Sequence, residues 1–228
     1  MSRLHRSLKG LIFPDLCVAC RVRQPKVAEE LCSECLDLLP FISSIADAKA
    51  ALAGKKHFPK DVDEFVSLFY YTKESYIAEM IHYIKYDGLY KIGTYLGEKL
   101  YERLLSTIDL DGYVLIPVPL HPKKMKIRGY NQAQKIALGI SRISGLPIVE
   151  DHLIRTKDAS SQTQKSQSDR AKVLEDAFDL NPLSEHAPKK VIIVDDVITT
   201  GSTISACTKA IMRRAPEKLI VASLGVSI

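Results

Sequence analysis

Apolar positions fall along the chain in two alternating rhythms. EFVSLFYYT at 64–72 is dense in β-branched and aromatic residues and reads as a buried strand. From Ser75 the rhythm changes: Ile77, Met80, Ile81 and Ile84 recur at helical spacing up to KYDG at 85–88, where Gly88 supplies a stop. KIGTYLGEKLYERLLST predicts a second helix. DGYVLIPVPL at 111–120 then reads as a turn feeding a buried strand over 113–119, and NQAQKIALGISRIS as another helix. VIIVDD at 191–196, a helix after it containing ISACTKAIMRRA, and the strand KLIVASLGV close the series. Strands alternating with helices predict an α/β fold with a mostly parallel, twisted sheet and helices on both faces. In such sheets ligands bind beyond the carboxyl ends of the strands, where both IPVPLHPKKMKIRGYNQ and DDVITTGST fall. RTKDASSQTQKSQSDRAKVLED at 155–176 is polar, separates two strand-like pieces, and reads as a mobile loop.

The first part of the chain has no such rhythm. It has four of the five cysteines instead, as CVAC at 17–20 and CSEC at 32–35. Each Cys-x-x-Cys turn presents two sulfurs to one ion, so Cys17, Cys20, Cys32 and Cys35 form a candidate tetrahedral thiolate site with zinc as its natural occupant. Two disulfides or an iron–sulfur cluster compete with this reading; reducing conditions in the cytosol disfavour the first and unusual spacing the second. About 40 residues bury too little apolar surface to stand alone, so the metal is expected to be structural. The expected domains are a zinc module at 1–45, an alanine- and lysine-rich linker at 46–61, and an α/β domain at 62–228. Cys207, alone in a helical pattern, reads as a small buried hydrophobe.

Composition narrows the picture slightly. The 228 residues are 46% hydrophobic and carry 32 Lys+Arg against 27 Asp+Glu, a net charge of +5 that suits acidic ligands such as phosphates or nucleic acid. No apolar run approaches the roughly 20 residues of a membrane span, and LKGLIF at 8–13 is too short for a secretory core, so a cytoplasmic location is expected. No histidine has ligand or triad spacing.

VIIVDDVITTGST at 191–203 poses the chemical question. Buried strands avoid adjacent carboxylates unless something uses them. TTGST opening a helix makes a phosphate cradle: Gly201 permits close backbone approach, first-turn N–H groups lack intrahelical partners, and Thr199, Thr200, Ser202 and Thr203 add hydroxyls. The lysine of a nucleoside-triphosphatase loop is missing. Asp195 and Asp196 would repel a phosphate but can accept hydrogen bonds from neighbouring hydroxyls, as on a ribose 2,3-diol. A ribose diol beside a 5-phosphate meets both demands.

These thirteen residues resemble the phosphoribosyl-pyrophosphate (PRPP) motif of type I phosphoribosyltransferases. Taken with CVAC and CSEC, IKYDG, PVPLHPKKMKIRGYNQA and the RT…SQT…R…AF stretch in the same order, the chain is similar to the ComF family of competence and GntX-like proteins over nearly its whole length. That resemblance implies a phosphoribosyltransferase-type sheet behind a zinc finger. It implies a ribose diol on Asp195 and Asp196, a 5-phosphate on Thr199 to Thr203, and Mg2+ accompanying PRPP. The loop after 113–119, with Lys123, Lys124, Lys126 and Arg128, would lie near the pyrophosphate. Gln162, Ser166 and Arg170 fall where such enzymes have a flexible catalytic loop, so Arg128, Gln162 and Arg170 are the catalytic candidates. Lys85 and Tyr86 match the family without an evident chemistry. Two functions remain open: a phosphoribosyltransferase of unknown acceptor, or a PRPP- or nucleotide-sensing accessory protein without turnover. The family association with natural transformation implies single-stranded DNA and DNA-uptake or helicase proteins as partners.

Overall fold

The computed structural model describes residues 17, 20, 22, 31–86, 90–156, 177–184 and 186–228. The expectations for Gly88, Gln162, Ser166 and Arg170 lie outside them.

Four parallel strands make the main sheet: β1 (Glu64–Tyr71), β2 (Tyr113–Pro117), β5 (Lys190–Ile198) and β6 (Lys218–Ser227), in the order β1-β6-β5-β2. Val191 to Val194 pair with Leu219 to Ala222, and β2 pairs with β5 from Tyr113 opposite Lys190 to Pro117 opposite Val194. The strands are near-continuous apolar runs because both faces are covered. Ile192, Val194, Ile220 and Leu224 enter one core with α3 (Tyr76–Tyr86), α4 (Tyr90–Leu105) and α6 (Gln132–Ser144). Val191, Ile193, Leu219 and Val221 enter the other with α7 (Ser202–Ile211) and the antiparallel pair β3 (Leu153–Arg155) and β4 (Phe178–Leu180). The α/β architecture, the parallel sheet and the helices on both faces therefore match the sequence reading.

Two helices precede β1. α1 (Ser33–Asp37) begins directly after Cys32. α2 (Ile45–Ala50) starts with a reciprocal cap in which Ser44 accepts from the Asp47 N–H and Asp47 accepts from that of Ser44. Ala48 of α2 is buried against Phe65 of β1, within the 46–61 segment.

The structure corrects the segment after β2. The chain there is a helix, α5 (Pro122–Arg128), where the prolines and lysines read as a loop. The imidazole of His121 accepts the Lys123 N–H at 3.3 Å, Pro122 occupies the first turn where no donor is needed, and Gly129 at φ 76° closes the helix. Asn131 then caps α6 from the Ala133 N–H while its amide donates to the Val118 carbonyl at 2.9 Å. This buried side chain fixes the turn between α5 and α6 against the end of β2.

Candidate functional site

Asp195 and Asp196 lie within β5, near its carboxyl end, at 7% and 6% exposure. Side chains alternate along a strand, so the two carboxylates continue the two faces that Ile193 and Val194 occupy. On the α3 side, Lys85 Nζ meets Asp196 Oδ2 at 2.7 Å. Burial pulls the Lys85 ammonium down, but Asp196 and then Asp195 outweigh it and hold it above the usual lysine value. Burial first, and the neighbouring Asp196 second, push Asp195 up to about 8. Asp195 Oδ1 accepts the Asp196 N–H at 2.9 Å and Asp196 Oδ1 the Val197 N–H at 2.7 Å, so each acid is held by the backbone that follows it.

Past β5 the chain turns at Gly201, φ 84°, into α7. A side chain there would also strike the backbone, since a Cβ would lie 2.8 Å from the Phe58 nitrogen. Glycine is thus required for both conformation and clearance. Thr199 and Thr200 are exposed, Gly201 and Ser202 buried, and Thr203 half-buried. The Thr200 and Ser202 hydroxyls share a hydrogen bond of 3.0 Å. TTGST thus opens a ten-residue helix whose N-terminal end carries the positive dipole.

Arg128, at the last turn of α5, donates to Gln132 Oε1 at 2.8 Å and to the Tyr86 hydroxyl at 3.0 Å, with its guanidinium 4.8 Å from the Tyr86 ring centre. That donation holds Tyr86 below the usual phenol range. Tyr130 donates to the Ile84 carbonyl. The end of α3 and the RGYNQ segment are therefore one unit. Lys85 and Tyr86, which had no chemistry in the sequence, connect Asp196 to Arg128. Only their adjacency in IKYDG was visible beforehand, and both contacts are long-range. Of the catalytic candidates the structure places Arg128 here; Gln162 and Arg170 lie outside the described residues. Cys207 is buried in α7 with its thiol pushed well up by burial, in keeping with a packing role.

Family comparison bears directly on this site. Residues 128–225 match the phosphoribosyl transferase domain, a span containing Arg128, both acids and Thr199 to Thr203. The chain is 36% identical over 108 residues to "Competence protein F" of Haemophilus influenzae, 47% of each chain, so that match spans about half of the relative. It is 24% identical over 215 residues to "DNA utilization protein YhgH" of Salmonella typhi, covering 89% of this chain and 93% of that protein. Over 219 residues it is 24% identical to "Competence protein ComFC" of Bacillus subtilis, covering 90% and 81%. The ComF resemblance read from the motifs is borne out.

The matched stretch is preceded along the chain by the cysteine cluster. The four sulfurs lie within 4.8 Å of one another, with Cys20 and Cys32 3.9 Å apart, and none is in a disulfide. Zinc–thiolate bonds of about 2.3 Å arranged tetrahedrally place sulfurs roughly 3.8 Å apart, so the geometry fits such an ion. The Cys32 N–H donates to the Cys17 sulfur at 3.3 Å, a contact that suits a thiolate. Burial pushes the Cys35 thiol up to about 12. Among the described residues no helix is long and apolar enough to cross a membrane.

Proposed function

We propose that the domain binds phosphoribosyl pyrophosphate, or a closely related 5-phosphorylated ribose, and works in the handling of incoming single-stranded DNA. The reading is carried by one juxtaposition: a buried acid pair, Asp195 and Asp196, followed at once by the Gly201 turn into the hydroxyl-lined start of α7. Ribose hydroxyls donate to the carboxylates, and the 5-phosphate takes N–H and hydroxyl donors from Thr199 to Thr203. Arg128 and Lys85 supply positive charge on the opposite flank, where a pyrophosphate would extend. Bound Mg2+ would supply charge neutralisation of the pyrophosphate. If the domain turns over, its residues act by positioning the ribose and stabilising the charge on the departing pyrophosphate. The Cys17, Cys20, Cys32 and Cys35 cluster holds zinc in this reading and keeps the small module folded. The printed names of the relatives, competence and DNA utilization proteins, support the DNA context.

Titration calorimetry with Mg-PRPP tests the ligand, and a scan of base and amine acceptors for pyrophosphate release tests turnover. Asp195→Asn with Asp196→Asn should abolish measurable PRPP binding while leaving the metal content unchanged. The charge-assisted hydrogen bond lost at Asp196 is worth about 1.5–3 kcal/mol, a tenfold or larger loss of affinity. Full PRPP affinity in the folded double variant would show that this segment serves another ligand.

A further inference from the structure

α4 and α6 cross with almost no space between them. A Cβ on Gly139 would lie 1.9 Å from the Thr94 carbonyl oxygen, and one on Gly97 2.1 Å from that of Ile136. The helices splay from this crossing and leave a groove of about 540 Å³. It is lined by Tyr90, Lys91, Tyr95, Lys135 and Arg142, with Glu98 the single acid among the lining residues. Lys135 Nζ stands 5.0 Å from the centre of the Tyr90 ring, and Tyr90 meets Tyr130 edge-on at 5.9 Å. Tyr130 belongs to RGYNQ, so the Tyr90 ring at the groove is linked through it to the segment that carries Arg128.

We propose that this groove is the track for single-stranded DNA, with phosphates on Lys91, Lys135 and Arg142 and bases stacked on Tyr90 and Tyr95. The proposal rests on the DNA-handling reading above and names its surface. Cations that follow a backbone, interleaved with aromatic platforms, are what single strands require, whereas a duplex has its bases closed to stacking. Tyr90 and Tyr95 both line the groove but stand about 140° apart around α4, so they act as two separate platforms rather than one continuous stack. Lys91, Lys135 and Arg142 against Glu98 give the lining of the groove a net positive charge.

Fluorescence anisotropy with labelled oligothymidine across a salt series decides the matter. Lys91→Gln, Lys135→Gln and Arg142→Gln together should lower the log–log salt slope by about 2, at about 0.7 per phosphate contact, and weaken binding at low salt. The triple variant Lys123→Gln, Lys124→Gln, Lys126→Gln on α5 should change neither by as much. The chain has no tryptophan, so its emission comes from tyrosine and base stacking should quench it. Tyr90→Phe with Tyr95→Phe keeps the stacking faces and removes the reporters, a mild change that should leave affinity intact and reduce the quench. Binding by the wild type with loss only in the α5 variant, or an undiminished quench in the double Phe variant, would overturn the groove and leave DNA handling standing. Absence of any single-strand binding by the wild type, or tighter binding of duplex, would overturn both.

Discussion

Burial, and then the neighbouring Asp196, push the Asp195 carboxyl up to about 8 in the folded chain. The unfolded chain loses that proton near the ordinary value of about 3.8. The folded state therefore holds more protons between about pH 4 and 8, and this group's contribution to stability falls as pH rises through that window. Lys85 is shifted upward, so its stabilising effect persists through neutrality and is lost only at alkaline pH. His152 acts in the opposite sense: burial lowers it, so its contribution grows as pH rises toward the ordinary histidine range. Comparing wild type with Asp195→Asn isolates the acid. Thermal melts should show the variant gaining most over wild type near pH 8 and little near pH 4, and a constant difference would refute the buried-proton argument. The residue pairs behind this chemistry were not legible in the sequence. VIIVDDVITTGST was readable because its chemistry is contiguous, whereas Lys85 with Asp196, and Tyr86 with Arg128, meet only through the packing of α3 against the sheet.

At the scale of elements, α3 reaches from one site toward the other. Lys85 near its end holds Asp196, while Tyr76 at its start packs against the core cluster that contains Cys17 and Cys32. The Tyr76 hydroxyl is buried and has no hydrogen-bond partner among the described residues. A thiolate of the cysteine cluster, were it to hold a metal, would offer this donor an acceptor, and outer-shell partners typically carry 10–100-fold in metal affinity. Tyr76→Phe is expected to release zinc to a chelator about tenfold faster and to shift the thiolate-to-metal charge-transfer band of the cobalt-substituted protein. Identical spectra and release rates would leave Tyr76 a packing residue. Elements were legible wherever apolar periodicity was strong, as in α3, α4, α6 and β5. α5 was hidden because its proline sits in the one turn where proline is tolerated, and the α4–α6 crossing because two glycines carry no periodic signal.

For the whole molecule, the sequence conveyed the alternation of strands and helices but not the order of strands. Parallel pairing is set by crossovers, and no local pattern reveals that the last strand lies inside the sheet between β1 and β5. That placement has a consequence for synthesis. While the chain is still emerging from the ribosome, β1 and β5 have no common neighbour, and each exposes an open edge until Lys218–Ser227 is made. Nascent chains stalled before β6 should be protease-sensitive throughout the sheet and should recruit holding chaperones, whereas chains stalled with β6 clear of the exit tunnel should become resistant in one step. Resistance of β5 before β6 emerges would mean that the sheet assembles from its β2 side first. On the order β1-β6-β5-β2, this sheet is joined in its middle by the strand made after the other three.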